Sequence, residues 1–436
     1  MAIGYYIGGL FAKRIKSEKV SYYAILIANF YLLVIFLIYP YILKITSKLS
    51  VILGVALSMS VIFLIPMVLL AFVPVYMVKL LTIRDNASEV SGNIFSLSTL
   101  GSIVGGVTTT LILVPNLGSR KILLILIFLL FLVSILNLSQ YNAKFLILFV
   151  FLFIPFNLDY VEKDHKIIYF TESEYNNIFV INESGKSFLK FNNNKGFQSV
   201  AMDTKTGLTH TYFDYMLIAN ILKKANNTLI LGNGVGTLGT QILFFFNTTV
   251  DGIEIDPKLT NIGEKYFYLN TTHQKYRLFN EDARVFLSRN QKKYDIIHID
   301  IYSGSSTVPF HVATVEFFQL VNLSLSTDGI MVVNTPVYSI GTSLELYYTN
   351  TIKKVFPDSY HVKNLVFSFK SAKQLELSKE TSEKNKIPGD LLKIQNDFFN
   401  RIVKVEEFND DVFTDDFSTI DKMSFDIRKK QKYSCN

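Results

Sequence analysis

Two short apolar runs, Thr228-Leu-Ile-Leu231 and Val250-Asp-Gly-Ile-Glu-Ile-Asp-Pro257, lie on either side of the stretch Gly232-Asn-Gly-Val-Gly-Thr-Leu-Gly239. Nothing else in the chain restricts the fold as tightly. The first run reads as a buried strand, Gly232, Gly234 and Gly236 as a tight turn, and a helix begins near Thr237. The second run is another strand ending on Glu254 and Asp256, roughly 20 residues beyond the first glycine. Glycines let the backbone pass close to a ligand, and an acid at the tip of the second strand holds two ribose hydroxyls. Strand, turn, helix, strand and acid in this order point to a nucleoside site rather than to a structural turn alone.

The first third of the chain has a different character. Half of the 436 residues are hydrophobic and only 18% are charged, too apolar a balance for an ordinary soluble enzyme, and the excess falls before residue 158. Tyr22–Leu43, Val51–Val78, Ile94–Pro115 and Ile122–Leu138 are each long enough, or nearly so, to cross a hydrocarbon core of about 30 Å. Phe145–Phe156 is shorter and reads as a re-entrant or interfacial helix. Ala2–Ala12 is also short and starts at the initiator Met, so either the start is truncated or the segment only dips into the bilayer. With no charged n-region and further apolar segments behind it, it is not a signal peptide. Few charged residues interrupt the spans, which argues against an ion-coupled transporter. Gly101-Ser-Ile-Val-Gly-Gly-Val-Thr-Thr-Thr110 reads as a face for close helix packing.

Lys13, Arg14, Lys16 and Lys19 crowd one loop, and Lys79 and Arg84 follow two spans later, which places this side in the cytoplasm. Parity after that rests on Phe145–Phe156. If it crosses, the C-terminal part lies outside; if not, inside. A nucleoside cofactor is made in the cytosol, so the inside is the expectation. The formal net charge is +7, but lysine and arginine are dispersed, which does not suit a nucleic-acid surface. The single Cys435 excludes an intrachain disulfide and a multi-cysteine zinc site.

Beyond residue 158 the periodicity changes to that of strands. Lys166–Phe170, Asn177–Ile181 and Ser187–Phe191 alternate, with Glu183-Ser-Gly-Lys186 as a turn, and make a small antiparallel region over residues 159–207. Gln198, Asp203 and Asp214 are candidates for a site beneath it. Tyr212–Lys223 reads as a helix leading into the glycine strand. Tyr276-Arg-Leu-Phe-Asn-Glu-Asp282 and Tyr294-Asp-Ile-Ile-His-Ile-Asp300 each end a strand on an acid. In an open parallel sheet, ligands lie outside the carboxyl ends of the strands, so Glu254, Asp282 and Asp300 face one crevice. Any one of them alone would be a cap. Together they divide the work: Glu254 for ribose, Asp282 for the adenine amino group, Asp300 for the reacting end. His298 points to the opposite face of its strand from its neighbours and is assigned to the core. Ile301-Tyr-Ser-Gly-Ser-Ser-Thr-Val-Pro309 forms a loop over the crevice. A strand at Gly329–Asn334 and a helix ending at Thr351–Phe356 continue the doubly wound alternation over residues 208–371. In the tail, 372–436, Ser378–Lys386 is exposed and Phe413-Thr-Asp-Asp-Phe417 either closes back over the site or makes a surface turn.

Several segments together resemble the membrane-fused relatives of spermidine synthase. In the first third these are Gly8-Gly-Leu-Phe-Ala-Lys-Arg14, Ser91-Gly-Asn-Ile-Phe-Ser-Leu-Ser-Thr-Leu-Gly-Ser-Ile-Val-Gly105 and Pro115-Asn-Leu-Gly-Ser-Arg120. Beyond it come Glu172-Ser-Glu-Tyr-Asn176, Thr211-Tyr-Phe-Asp-Tyr-Met216, the glycine loop, Glu254-Ile-Asp-Pro257, Asp282-Ala-Arg284 and Tyr294 to Asp300. Val308-Pro-Phe-His-Val-Ala-Thr-Val-Glu-Phe317 and Thr414-Asp-Asp416 complete the set. The resemblance implies an α-helical transmembrane domain (1–158), a small N-terminal β unit, and an α/β Rossmann-like domain of the class I S-adenosylmethionine-dependent type. The tail packs on that domain.

It further implies a transferase that moves an aminopropyl group from decarboxylated S-adenosylmethionine to a polyamine or another amine, without a metal. Asp300 corresponds to the family's leading catalytic aspartate, with Tyr302 beside it. Asn176, Gly232, Gly234, Gly236, Glu254, Asp282 and Ala283 correspond to donor-binding positions, and Gln198, Asp203, Asp214 and Ser303 to the acceptor side. There are departures. Val235 stands where soluble members carry an aspartate for the donor amine, and Ser303 replaces a second aspartate. Phe213-Asp214-Tyr215 replaces Tyr-His-Glu, and Asn176 a glutamine. The nucleoside end matches while the amine end is rebuilt. A methyltransferase using S-adenosylmethionine itself, and a non-catalytic membrane sensor or transporter-like protein, are the alternatives. The expected partners are a small amine and the lipid bilayer, not nucleic acid, and a homo-oligomer is compatible with the chain.

Overall fold

A computed structural model describes residues 1–49, 51–83, 86–140, 166–192, 196–302, 307–335, 341–370, 389–406, 411–420 and 423. Arg84, the apolar segment Phe145–Phe156, Ser303, the charged stretch Ser378–Lys386 and Cys435 lie outside the described residues. The chain divides into two compact units, Met1–Tyr160 and Val161–Asn436. The small β region and the tail therefore belong to the same unit as the glycine-bearing sheet.

The first unit is helical. Its elements are α1 (Ala2–Arg14), α2 (Lys19–Thr46), α3 (Val51–Leu81), α4 (Ala87–Thr108), α5 (Val114–Leu117) and α6 (Ser119–Ser139), with a π turn at Thr109–Leu113 between α4 and α5. Four helical stretches, Lys19–Thr46, Leu53–Leu81, Ala87–Leu113 and Ser119–Ser139, are long and apolar enough to cross a membrane. Lys19–Thr46 and Ser119–Ser139 run past both limits that apolar composition suggested, and the other two past one limit each, at Leu81 and at Ala87, because polar and charged end residues continue the backbone hydrogen bonding. α1 has 13 residues, about 20 Å of helix, too short to cross alone. It packs on α3 through Gly4, Gly8 and Ala12, all buried. A Cβ at Gly8 would lie 2.7 Å from the Phe72 carbonyl oxygen, so only glycine lets the two backbones come this close. Tyr76 of α3 is fully buried, and its hydroxyl donates to the carbonyls of Ile15 and Ser17, which ties down the turn between α1 and α2. The faces of Gly101, Gly105 and Gly106 meet nothing within 4 Å, so the small residues of α4 do not pack against another described helix.

The second unit opens with a four-stranded antiparallel sheet of β1 (Ile167–Glu172), β2 (Asn177–Glu183), β3 (Lys186–Phe191) and β4 (Ser199–Val200). β4 is too short to leave a periodicity in the sequence. Ser184 and Gly185 both have positive φ, the two-residue turn that matches strand twist, so Glu183 pairs with Lys186 as the sequence suggested. Ile178, Val180 and Leu189 turn one face inward onto Leu259, Ile262 and Phe267.

The larger sheet contains β5 (Asn227–Leu231), β6 (Thr249–Glu254), β7 (Tyr276–Asn280), β8 (Tyr294–Ile299), β9 (Leu325–Asn334), β10 (Asp358–Val362), β11 (Leu365–Phe369) and β12 (Val403–Lys404). Its order is β12-β10-β11-β9-β8-β5-β6-β7. The pairs from β9 through β8, β5 and β6 to β7 are parallel, and β10, β11 and β12 add antiparallel strands at one edge. Helices α9 (Thr237–Phe246), α10 (Pro257–Tyr266), α11 (Ala283–Arg289), α12 (Val315–Ser324) and α13 (Ser343–Val355) connect or flank the strands, and α14 (Gly389–Arg401) precedes β12. Successive residues feed opposite cores: Leu229, Leu231, Ile297, Met331 and Val333 pack on one face, Ile230, Ile296, Ile330 and Val332 on the other. His298 is fully buried in β8, and neither ring nitrogen has a hydrogen-bond partner. Burial pulls its pKa down to about 3, so it is a neutral core residue.

The helix expected over Tyr212–Lys223 is instead two short ones, α7 (Tyr212–Met216) and α8 (Ile218–Leu222), interrupted at Leu217. Of the two alternatives for Phe413–Phe417 the structure has the surface turn: Asp415, Asp416 and Phe417 are exposed, and the N–H groups of Thr414 and Phe417 donate to each other's carbonyls. Phe413 is fully buried, its N–H donates to Thr351 Oγ1, and Asp415 forms a two-pronged pair with Arg284. Described residues 411–420 thus dock on α11, α12 and α13 and do not line the cavity described next.

Candidate functional site

β5 delivers the chain into the glycine turn at the carboxyl end of the sheet. Gly232, Gly234 and Gly236 all have positive φ, at 86°, 54° and 80°. A Cβ at Gly232 would fall 2.2 Å from the Asp300 carbonyl oxygen, so β5 and the end of β8 can lie this close only with glycine here. The N–H groups of Gly232 and Asn233 both donate to the Ile253 carbonyl, and the Gly234 N–H donates to Glu254 Oε2 at 2.7 Å. The turn is therefore bound to the tip of β6. Gly236 is the left-handed residue that starts α9, and it packs against Leu269 rather than lining the cavity.

A cavity of about 620 Å³ opens above this turn, within the size range of small-molecule sites. Its floor carries Gly232, Asn233, Gly234, Glu254, Asp282, Ala283 and Asp300; Asn176, Gln198 and Ser199 of the β region line it as well. The three acids that end β6, β7 and β8 in sequence thus meet in one space. Five carboxyl groups line it, those of Glu254, Asp256, Glu281, Asp282 and Asp300, and among the described lining residues there is no lysine or arginine.

The environments of these acids differ. Glu254 is held by the N–H groups of Gly234 and Asp256, yet burial outweighs those bonds and raises its pKa to about 7. Asp282 caps α11 by accepting from the N–H groups of Arg284 and Val285. Its other oxygen lies 3.1 Å from His311 Nε2, and the His311 contact is the main influence holding its pKa below the usual carboxylate range. Asp256 caps α10 through the Lys258 N–H.

Asp300 is set differently again. Tyr212 Oη donates to Asp300 Oδ2 at 2.7 Å and Asn334 Nδ2 donates to Oδ1 at 2.9 Å. Asn364 Nδ2 donates in turn to Asn334 Oδ1 at 2.6 Å, which orients that amide toward Asp300. Burial raises the Asp300 pKa above its ordinary value, while the two hydrogen bonds oppose the rise. Tyr212 is itself pushed well above its ordinary pKa, first by burial and then by Asp300, so it stays a donor. Tyr302 lines the same space, with its hydroxyl donating to the Asn334 carbonyl at 2.8 Å. A carboxylate whose two oxygens are held by neutral donors, facing an open cavity, is suited to accept a proton.

Other sequence candidates fall elsewhere. Asp214 is 2% exposed and accepts from Thr209 N–H and Oγ1, His210 N–H and Gln241 Nε2, so it knots the 207–214 turn instead of facing the cavity. Asp203 closes a turn through the N–H groups of Lys205 and Thr206 and does not line the cavity. Tyr215 turns away to Asp397 of α14. Val235 is buried with Ile178, Leu189 and Leu259, outside the cavity lining. Ser303 lies outside the described residues. Sequence reasoning missed Tyr212, Asn334, Asn364 and His311. Asn334 could have been found by the rule that located Asp300, because it ends the neighbouring parallel strand. Asn364 sits in the turn between β10 and β11, a hairpin not read from the sequence.

Comparison with known proteins bears on these features. Residues 211–374 match the spermine/spermidine synthase domain model, which spans α7 through β11 and the sheet that builds the site. A probable polyamine aminopropyl transferase of Bifidobacterium longum is 37% identical over 193 residues, 44% of this chain and 42% of that protein's own length. A polyamine aminopropyltransferase of Vibrio vulnificus is 31% identical over 207 residues, 45% of this chain and 67% of the relative. Among solved structures, a spermidine synthase in complex with the transition-state analogue AdoDATO aligns with a TM-score of 0.41 and 17% identity, over 53% of this chain and 88% of that one. With a domain match over the site-bearing sheet and a relative covered over two thirds of its length, the chain belongs to the spermine/spermidine synthase family.

Proposed function

We propose that this protein is a membrane-anchored transferase that moves an aminopropyl group from decarboxylated S-adenosylmethionine to an amine. The carrying observation is Asp300, a single acid held by two neutral donors in a cavity that also presents Glu254 and Asp282. In this reading Glu254 accepts the ribose hydroxyls, and Asp282 and Ala283 lie against the adenine. Asn176, Gly232 and Gly234 complete the donor side. A donor bearing a sulfonium and an ammonium suits walls with five carboxyl groups and no described lysine or arginine.

The chemistry is a displacement. The acceptor arrives as an ammonium and passes a proton to the Asp300 carboxylate. Its freed nitrogen lone pair then attacks the carbon beside the sulfonium; the N–C bond forms as the C–S bond breaks, and the bonding pair returns to sulfur to leave a neutral thioether. Tyr212 and Asn334 hold Asp300 in place, and Tyr302 buttresses Asn334. The four apolar helices support an integral, multi-pass anchor. The catalytic unit is assigned to the cytoplasmic side because the donor is made there; the basic cluster of Lys13, Arg14, Lys16 and Lys19 fixes only the side of its own loop.

A second reading, methyl transfer from S-adenosylmethionine, is favoured by one observation. The position at which soluble relatives carry an acid for the donor amine is Val235, buried in a hydrophobic cluster. The test is release of methylthioadenosine by the full-length protein in detergent, supplied with decarboxylated donor and an amine mixture. Asp300→Asn is expected to lower the rate by about 10²–10⁴-fold while methylthioadenosine still binds. Full turnover in Asp300→Asn would remove the assigned base; S-adenosylhomocysteine and a methylated acceptor formed from S-adenosylmethionine, with no methylthioadenosine released from the decarboxylated donor, would favour the second reading.

A further inference from the structure

Resting on the transferase reading, we infer that Asp415, in the exposed turn 414–417, is a positioning residue for the donor's adenine, acting through Arg284 and His311. Asp282 and His311 line the cavity, whereas Arg284 and Asp415 lie behind it. The four residues form one connected set. Both lone pairs of Asp282 Oδ1 are used by the first turn of α11, accepting from the N–H groups of Arg284 at 2.8 Å and Val285 at 3.0 Å. Oδ2 is left for a ligand, and it lies 3.1 Å from His311 Nε2. A carboxylate only accepts, so Nε2 carries the proton and donates, and the second lone pair of Oδ2 is available to the adenine amino group.

Where that lone pair points depends on the His311 ring, which stands on the short turn Phe310–Val312. Arg284 fixes this turn, its Nη1 donating to the His311 carbonyl at 2.8 Å. One residue thus holds Asp282 twice, directly through its N–H and by way of His311 through its guanidinium. The circuit keeps its shape only while the guanidinium keeps its place, and Asp415 supplies that restraint. Arg284 Nη1 donates to Asp415 Oδ1 at 2.7 Å and Nη2 donates to Oδ2. A two-pronged pair fixes orientation as well as distance. With the Asp415 side chain 41% exposed, the pair adds little to stability, so orientation is its main contribution. The turn is anchored in its own right: the Val315 N–H donates to the Phe413 carbonyl, Thr314 Oγ1 donates to Asp415 Oδ1 at 2.8 Å, and the Asp415 N–H donates to Glu316 Oε2 at 3.1 Å. Asp415 is therefore held by α12 and the residue that caps it, and transmits that placement to the adenine end of the cavity.

The experiment asks whether the loss falls on the adenine amino group alone. Full-length protein in detergent is titrated calorimetrically with methylthioadenosine and with its analogue bearing hydrogen in place of the 6-amino group. The parent is expected to prefer the amino compound by about tenfold or more. In Asp415→Asn that preference is expected to fall roughly fivefold through weaker binding of methylthioadenosine, while the Kd of the analogue holds. The donor KM rises in step and kcat does not change. Arg284→Lys, which keeps the charge and the backbone N–H but loses the fork, is expected to behave alike, and Asp416→Asn, exposed in the same turn, to change neither Kd. An unchanged preference in folded Asp415→Asn, or equal weakening of both ligands, would overturn the inference; should that variant not fold, Arg284→Lys decides by the same criterion. A parent that binds both compounds equally would also overturn it, by removing Asp282 from the base. A parent that binds neither would instead remove the transferase reading itself, so the two failures separate.

Discussion

Glu254 folds with a proton that the unfolded chain has already released. Its pKa rises from 4.5 to about 7, chiefly through burial, so between those values the native state binds more protons and stability falls as pH rises. Glu254→Gln removes this penalty. Its melting temperature relative to the parent protein is expected to be higher at about pH 8 than at about pH 4, where the parent carboxyl is protonated in both states. A constant difference would mean that Glu254 titrates normally. Ribose hydroxyls need the ionised form, so donor affinity in the parent should weaken as pH drops from about 8 to about 6, and the variant should lose that dependence. Tyr212 governs a second proton. Its hydrogen bond to Asp300 opposes the upward push of burial, so Tyr212→Phe raises the Asp300 pKa further. The acidic limb of the kcat/KM profile is expected to move to higher pH, with a loss of about tenfold. An unmoved limb would show that Asp300 is not the titrating base.

At the scale of elements, strand ends were more legible than helices. The rule that ligands gather at carboxyl ends of parallel strands brings Glu254, Asp282 and Asp300 to one crevice from sequence alone, because each lies at or just beyond the end of a short strand-like run. It did not locate Asp214, since a carboxylate on a short helix looks the same in sequence whether it faces a cavity or, as here, three donors of its own turn and Gln241 of α9. Nor could spacing reveal that α7 and α8 are separate, or that the β10–β11 hairpin brings Asn364 beside Asn334. Such pairings are tertiary. In the helical unit, the close approach of α1 to α3 rests on Gly8, whereas the neighbouring Gly9 has nothing within 4 Å. Gly8→Leu is expected to lower thermal stability in detergent by about 1–3 kcal/mol, and Gly9→Leu to leave it nearly unchanged. Equal effects would mean that α1 does not pack through this face.

At the scale of the whole molecule, the composition changes from membrane-like to strand-like near residue 158, and the chain divides into two units, Met1–Tyr160 and Val161–Asn436. Composition alone does not show that the β region joins one unit with the sheet, because buried contacts such as those of Ile178 carry no signature in it. The second unit presents a carboxylate-rich cavity, and a cationic donor is what such a cavity should prefer. Calorimetric titration of the full-length protein with decarboxylated S-adenosylmethionine and with S-adenosylmethionine tests this directly. The decarboxylated form, which lacks a carboxylate to be repelled by Glu254, Asp282 and Asp300, is expected to bind more tightly by roughly tenfold or more. Equal or tighter binding of S-adenosylmethionine, or no binding of either, would contradict the assignment of this cavity to aminopropyl transfer.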